Sequence, residues 1–172
     1  ALARRRDAGR TVVHPAARPE GPADRKRVEA VLARCREEGR DPLLPEALEV
    51  AAAYGVPVGA GEAVAGPEEA AAAAARLGFP VALKVVGRGL SHKSDVGGVR
   101  LGLEGPAAVE AAFRDMQAAV AQVAPEAAMS GALVQPMAAA GNDLIVGASA
   151  DPTFGPVVLA GRGGIFVEVL GD

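Results

Sequence analysis

The first regular pattern along the chain is an amphipathic one, and it predicts a helix. Between Asp24 and Gly39, apolar residues recur every three or four positions among charged residues, which is the spacing of one helix face. Asp24 provides an N-cap and Gly39 a stop. The apolar stripe consists of Val28, Val31, Leu32 and Cys35.

Three further segments carry helical signals. Residues 44–55 place a proline in the first turn and a glycine past the end, as helices prefer. Residues 66–78 begin with proline and two glutamates and end with Arg76 before a glycine, which suits the helix dipole. The longest segment, residues 105–125, has one apolar face, formed by Val109, Phe113, Met116 and Val120.

Short apolar or alternating runs between these helices predict strands. The earliest, residues 56–64, includes a glycine-bearing bend. The others are "PVALKVV", "GGVRLGL", "GALVQPM", "DLIVGASA", "PVVLAG" and "IFVEV". Helices and strands follow each other without a regular βαβ repeat, so the sequence predicts an α+β fold.

The composition argues against several classes of protein and indicates how the core is built. Half of the 172 residues are hydrophobic and only 3% are aromatic, so the core must rest on alanine, valine and leucine. A net charge of −3 gives no reason to expect a nucleic-acid partner. No apolar run reaches the roughly 18 residues that cross a bilayer. A single cysteine excludes an intrachain disulfide and suits the cytoplasm.

The stretch "LKVVGRGLSHKSDVGGVRL", residues 83–101, carries the candidate chemistry. Lys84 lies within an apolar strand, where an ammonium group is costly unless it meets an anion such as a phosphate. The alternative is that Lys84 lies on the solvent face of a half-buried strand, because small Ala82 and Val86 share its face. The spacing alone leaves both interpretations open.

The loop that follows this strand contains His92. Loops of about a dozen residues inside compact domains tend to be functional, and glycines let backbone N–H groups approach an anion. The spacing matches neither the Walker nor the Rossmann glycine motif. Lys93 and Arg88 favour the neutral, nucleophilic form of His92, and Asp95 could orient it. The alternative is a solvated histidine without a role.

Together these motifs resemble the ATP-grasp domain of NDP-forming acyl-CoA synthetases, the superfamily of succinyl-CoA synthetase. The resemblance rests on "PVALKVV…LSHKSDVGGVRLGL", "GALVQPM" and "DPTFGPVVLAGRGGIFVEVL". It implies that residues 1–41 are the tail of a CoA-ligase portion with a linker helix, that residues 42–125 form the first ATP-grasp lobe, and that residues 126–172 begin the second, nucleotide-clamping lobe. On this interpretation the chain is a piece of a longer fused protein and is inactive alone.

The resemblance also implies a function and a set of site residues. In the family, ATP drives acyl-CoA formation from a carboxylic acid and CoA through phosphohistidine, with ADP and phosphate as products. His92 matches the phosphorylated histidine of the HKSD loop, and Lys84 matches the lysine that binds the nucleotide phosphates. The other residues implied to bind the nucleotide are Lys93, Ser94, Gly97, Gly98, Gln135, Met137, Asp143, Gly163 and Gly164.

Some of these residues have an implied partner on the nucleotide. Gln135 and the backbone around Met137 are expected to meet the edge of the base. Asp143 stands where the family has a glutamate, and Glu168, which follows the second glycine-rich turn, has no assigned role. The ligands of Mg²⁺ are expected downstream of Asp172.

A second function remains open at this point. Similar regions are fused to protein lysine acetyltransferases as regulatory modules, and the motifs do not separate the two functions. For the synthetase, CoA and the carboxylic acid are expected to bind the CoA-ligase portion. The full-length protein is expected to be an oligomer, with neither nucleic acid nor a membrane as partner.

Overall fold

The computed structural model describes residues 24–90, 97–123, 125 and 128–163. Predictions that fall on other residues, among them the final strand "IFVEV", lie outside this part of the chain. The described elements, in chain order, are α1 (Arg25–Glu37), α2 (Leu44–Ala53), β1 (Glu62–Val64), α3 (Pro67–Leu77), β2 (Val81–Arg88), β3 (Val99–Leu103), α4 (Pro106–Val123), β4 (Ala128–Pro136), β5 (Leu144–Asp151) and β6 (Gly155–Arg162).

The helices lie where the sequence predicts them, because local signals begin and end them. Asp24 caps α1 by accepting a hydrogen bond from the backbone N–H of Arg27 at 3.1 Å, and Gly39 follows that helix with a positive φ. None of the helices in the described residues has the length and apolar composition needed to cross a membrane. In α1, three of the four predicted apolar residues, Val28, Val31 and Cys35, are buried, while Leu32 is partly exposed. The predicted apolar face of α4, which consists of Val109, Phe113, Met116 and Val120, is buried.

The predicted strand over residues 56–64 is largely wrong. Only Glu62–Val64 forms a strand, and it pairs with β4. Pro57 lacks the N–H that a strand ladder needs, and Gly59 and Gly61 have no side chain to pack. Residues 56–61 accordingly form no regular structure.

Strands β1–β4 form one antiparallel sheet in the order β1-β4-β2-β3. β1 and β2 are both antiparallel to β4 and therefore parallel to each other, with α3 as the crossover between them. β3 and β4 are likewise both antiparallel to β2 and are joined by α4. The sheet thus consists of two interlocked split βαβ units, and β4 separates β1 from β2.

Helices α3 and α4 pack against one face of this sheet and enclose the core. β2 contributes Val81, Leu83 and Val85 to this core, and α4 contributes Phe113 and Met116. The core combines these larger side chains with small ones from the other helix. From α3, the small residues that belong to the core are Ala70, Ala73 and Ala74.

The opposite face of β2 carries Ala82, Lys84 and Val86, because side chains alternate along a strand. Ala82 and Val86 are only 4% and 7% exposed, and Lys84 is half-buried. The burial of its neighbours does not decide between the two interpretations of Lys84, because Lys84 itself stays partly exposed.

A cluster of ion pairs fixes the connection between α1 and α2. The carboxylate of Glu46 is 14% exposed and accepts hydrogen bonds from Arg40 at 2.9 Å, from the backbone N–H of Leu43 at 2.8 Å and from Arg34 at 3.1 Å. These bonds, with those from Arg40 the strongest, outweigh the effect of burial and lower the pKa of Glu46 to about 2.

Residues 138–163 belong to a second compact unit. Its strands β5 and β6 form an antiparallel hairpin that is paired along its whole length. In the turn, the carboxylate of Asp151 accepts hydrogen bonds from the backbone N–H groups of Phe154 and Thr153, both at 2.8 Å. These two bonds hold the pKa of Asp151 below its ordinary value.

The boundary between the two compact units lies after Met137, not at the predicted position between residues 125 and 126. The reason is that β4 pairs with both β1 and β2 and so belongs to the first sheet. Helix α1, predicted to be a linker, packs against α2 in the first unit. The assignment of the two units to ATP-grasp lobes stays a prediction.

Gly131 is the position of the first sheet where a side chain should be least tolerated. Its φ is 152°, and a Cβ there would overlap the carbonyl oxygen of Val64 in β1. Because that contact is with backbone, we expect Gly131→Ala to lower the free energy of unfolding by about 3 kcal/mol or more. Urea unfolding measures this loss. Gly105→Ala is the control, since a Cβ there meets nothing within 4 Å; equal stability of the two variants would contradict the prediction.

The ion-pair cluster around Glu46 makes stability depend on pH in a defined direction. The folded-state pKa is about 2 against an ordinary 4.5, so the carboxylate stabilises the fold fully above pH 4.5 and loses this effect as the pH falls toward 2. We expect Glu46→Gln to lower the melting temperature at neutral pH and the difference from the parent protein to shrink below pH 4.5. Thermal unfolding across this range checks it, with Glu29→Gln on the exposed face of α1 as control. If the difference in melting temperature between Glu46→Gln and the parent protein does not change with pH, the prediction is wrong.

Candidate functional site

The candidate site is built on the face of the first sheet opposite α3 and α4. Along the β2–β4 ladder, Lys84 pairs with Leu133 and Ala82 pairs with Gln135, which places Lys84 and Gln135 on the same face as diagonal neighbours. The Lys84 Nζ donates a hydrogen bond to the Gln135 Oε1 at 2.9 Å. Two predicted site residues that are far apart in sequence are thus in direct contact.

The surroundings of Lys84 suit an anionic ligand. Its neighbours on this face, Ala82 and Leu133, are 4% and 3% exposed, so the ammonium group rises from an apolar surface. The Gln135 amide accepts one of its hydrogen bonds but carries no charge, so it does not neutralise the ammonium. A phosphate could supply both the missing charge and further acceptor oxygens.

The glycine pair Gly97–Gly98 lies directly before β3, the strand that neighbours Lys84. The carbonyl oxygen of Gly98 accepts a hydrogen bond from the backbone N–H of Val85 at 2.8 Å, and Lys84 itself pairs with Val99. Gly97 has a φ of 63°, a conformation that glycine adopts without strain. The structure therefore brings these predicted glycines to the same end of the sheet as Lys84.

Arg100 is a residue that the sequence reasoning missed. Its guanidinium donates hydrogen bonds to the carbonyl oxygens of Gly97 and, at 3.2 Å, Val99. A Cβ on Gly97 would lie 3.3 Å from the same guanidinium, a tight contact with the flexible end of the arginine side chain. An arginine directly after a "GGV" turn is the signal that could have pointed to it.

The backbone near Met137 is only partly available to a ligand. The N–H of Met137 donates a hydrogen bond to the carbonyl oxygen of Pro80 at 3.0 Å, which extends the β2–β4 pairing by one step. A base that meets this segment would have to use its other backbone groups.

Asp143 and Gly163 lie together in the second unit, at the open end of the β5–β6 hairpin. The backbone N–H of Gly163 donates to the carbonyl oxygen of Asp143 at 2.8 Å. A Cβ on Gly163 would lie 3.0 Å from the Cβ of Asp143, closer than an ordinary van der Waals contact. His92, Lys93, Ser94 and Gly164 lie outside the described residues.

Comparisons with known proteins point to one class of enzyme. The family of ATP-grasp domains matches residues 34–172. The chain is 40% identical over 149 residues to acetate–CoA ligase (ADP-forming) I of Archaeoglobus fulgidus, covering 87% of this chain and 22% of that one. It is 36% identical over 142 residues to the beta subunit of acetate–CoA ligase (ADP-forming) I of Pyrococcus furiosus, covering 83% of this chain and 61% of the subunit. The chain thus spans less than two thirds of either relative.

A solved structure agrees with this similarity. The dinucleotide-forming acetyl-coenzyme A synthetase 1 of Ca. Korarchaeum cryptofilum, in complex with coenzyme A and Ca-AMPCP, superposes with a TM-score of 0.79 at 40% identity, covering 84% of this chain and 63% of that one. In the complex of the same enzyme with coenzyme A and Mg-AMPPCP, a phosphohistidine segment points towards the nucleotide binding site; that structure has a TM-score of 0.65 at 37% identity and covers 84% of this chain and 61% of its own.

The contact between Lys84 and Gln135 should contribute to stability as a coupled pair. We expect Gln135→Leu to lower the free energy of unfolding by about 1–2 kcal/mol, because it leaves a half-buried ammonium without its acceptor. In a Lys84→Met background the same change should cost much less, because the ammonium is gone. Urea unfolding of the parent protein, both single variants and the double variant measures the coupling. If the effects of the two substitutions on the free energy of unfolding simply add, the hydrogen bond contributes nothing to stability.

Proposed function

The chain belongs to the ATP-grasp domain family, and from this premise we propose that it is the nucleotide-binding part of an ADP-forming acyl-CoA synthetase. The whole protein would convert a carboxylic acid, CoA and ATP to acyl-CoA, ADP and phosphate. The observation that carries the proposal is the Lys84 ammonium, held by Gln135 at 2.9 Å beside Gly97–Gly98. The relatives, which are named as ADP-forming CoA ligases, support it and give the regulatory alternative no support.

The role proposed for Lys84 is to bind the phosphates of ATP. An ammonium held above an apolar surface acts as a fixed positive charge, and its effect is stronger there than in open water. Gly97 and Gly98 would let a phosphate approach the backbone without steric hindrance. Lys93, Ser94 and Gly164 are proposed to contact the nucleotide on the grounds of the sequence alone. Asp143 and Gly163, which lie in the second unit, are proposed to contact it as well.

His92 is proposed to carry the phosphoryl group. An imidazole nitrogen would give its electron pair to the γ-phosphorus of ATP while the bond from that phosphorus to the bridging oxygen breaks, so that ADP leaves with the electron pair. The phosphoryl group would then pass on toward the acid and CoA and end as free phosphate. In the Ca. Korarchaeum cryptofilum enzyme a phosphohistidine segment points towards the nucleotide binding site; this supports phosphoryl transfer through a histidine, while the assignment to His92 rests on the HKSD motif.

Mg²⁺ is the proposed companion of the nucleotide, since phosphoryl transfer depends on neutralising phosphate charge. The Lys84 ammonium is also suited to neutralise phosphate charge. Among the described residues no group of three or more His, Cys, Asp or Glu side chains is placed to hold a metal ion. The segment around Met137 remains the proposed contact for the base, through groups other than the N–H that Pro80 occupies.

Phosphoryl transfer from ATP to His92 tests the proposal. In the complete protein, γ-labelled ATP with Mg²⁺ should leave a label that is acid-labile and base-stable, that is absent in His92→Asn, and that is released by CoA with a carboxylic acid. Lys84→Met should raise the KM for ATP by about tenfold or more, because a charge-assisted contact is lost. Lys26→Met, which changes an exposed lysine of α1, is the control. Measurable ATP binding with no label would overturn the phosphohistidine role.

A further inference from the structure

The segment between α2 and β1 lies against the side chain of Gln135. A Cβ added to Gly61 would lie 2.9 Å from the Cγ of Gln135, 3.2 Å from the carbonyl oxygen of Val134 and 3.3 Å from the Cδ1 of Leu133. A Cβ added to Gly59 would meet only the Nε2 of Gln135, at an ordinary 3.9 Å. Two glycines of one segment therefore differ sharply in how close they come to the same side chain.

The requirement for glycine at position 61 is one of space. Gly61 is not among the glycines of positive φ, so an alanine could adopt its backbone conformation without strain. What an alanine could not do is keep its methyl group clear of Gln135 Cγ, since 2.9 Å is well inside van der Waals contact. The side chain of Gln135 thus occupies the space that a side chain at position 61 would fill.

Gln135 in turn sets the position of Lys84. Its Oε1 accepts the hydrogen bond of the Lys84 Nζ at 2.9 Å, and a lysine side chain has several rotatable bonds whose freedom such a contact restricts. A methyl group at position 61 that displaced the Cγ of Gln135 would move this acceptor. The ammonium would then lose the support that directs it.

We infer that Gly61 is a positioning residue for the nucleotide phosphate: it contacts Gln135, and Gln135 holds the Lys84 ammonium where the phosphate binds. The inference rests on the proposed function, because it needs Lys84 to bind that phosphate. It assigns a role in phosphate binding to the segment before β1, which carries no charged side chain between residues 56 and 61.

Gly61→Ala and Gly59→Ala form a matched pair for the test, since each adds one methyl group to the same segment. In the complete protein, the Kd for Mg-ATP should rise about threefold to tenfold in Gly61→Ala, the effect of weakening one charge-assisted contact. It should stay within about twofold of the parent protein in Gly59→Ala. Calorimetric titration measures both, and circular dichroism confirms that each variant is folded. Equal Kd values for the two variants would overturn the inference.

A double-variant cycle with Lys84→Met separates positioning from general destabilisation. If Gly61 acts through Lys84, Gly61→Ala should raise the Kd in the parent background and leave it unchanged in the Lys84→Met background, whereas a structural defect would add in both. If Lys84→Met does not change the Kd at all, the proposed function fails. If Lys84→Met weakens binding but the Gly61→Ala effect is additive, only the inference about Gly61 fails.

A further variant keeps the test decisive if Gly61→Ala does not fold. Gln135→Ala combined with Gly61→Ala removes the Cγ atom that the new methyl group would meet. The Kd for Mg-ATP of this double variant should equal that of Gln135→Ala alone. A clearly higher Kd in the double variant would mean that Gly61 acts by some route other than Gln135.

Discussion

The pairing of β2 with β4 is the constraint on which the first unit depends. It runs through eight residue pairs, from Val81↔Pro136 to Arg88↔Ala128, and it inserts the last strand of the sheet between the first two. Because side chains alternate along a strand, this register decides which residues face the helices. A slip of one residue along the ladder would separate Lys84 from Gln135 and expose part of the core.

The same pairing separates the two tasks of the sheet. One face is closed by α3 and α4 and holds the apolar core. The other face carries Lys84 and Gln135, with Gly98 attached to the backbone of Val85 at 2.8 Å. The proposed phosphate site therefore lies on a strand whose other face is packed against helices, which fixes the backbone beneath Lys84 without using any polar group of the site.

Charged residues connect the α1–α2 pair to the end of β2. The carboxylate of Glu38 accepts hydrogen bonds from Arg40 at 2.7 Å and from Arg88 at 2.6 Å, and Arg40 is bound in turn to Glu46. Exposed pairs of this kind each contribute little, but here they join into a network. The network reaches the strand end after which the chain continues toward His92.

The sequence by itself determined the helices, the apolar content of β2 and the identity of the candidate residues, because caps, periodicity and the motif around Lys84 are local signals. Only the tertiary structure decided that β1 is short, that the first unit ends after Met137, and that Gln135 holds Lys84 across the ladder. It also decided that Gly61 makes room for Gln135. These features depend on contacts between residues distant in the chain, and no local pattern records which strand will lie beside which.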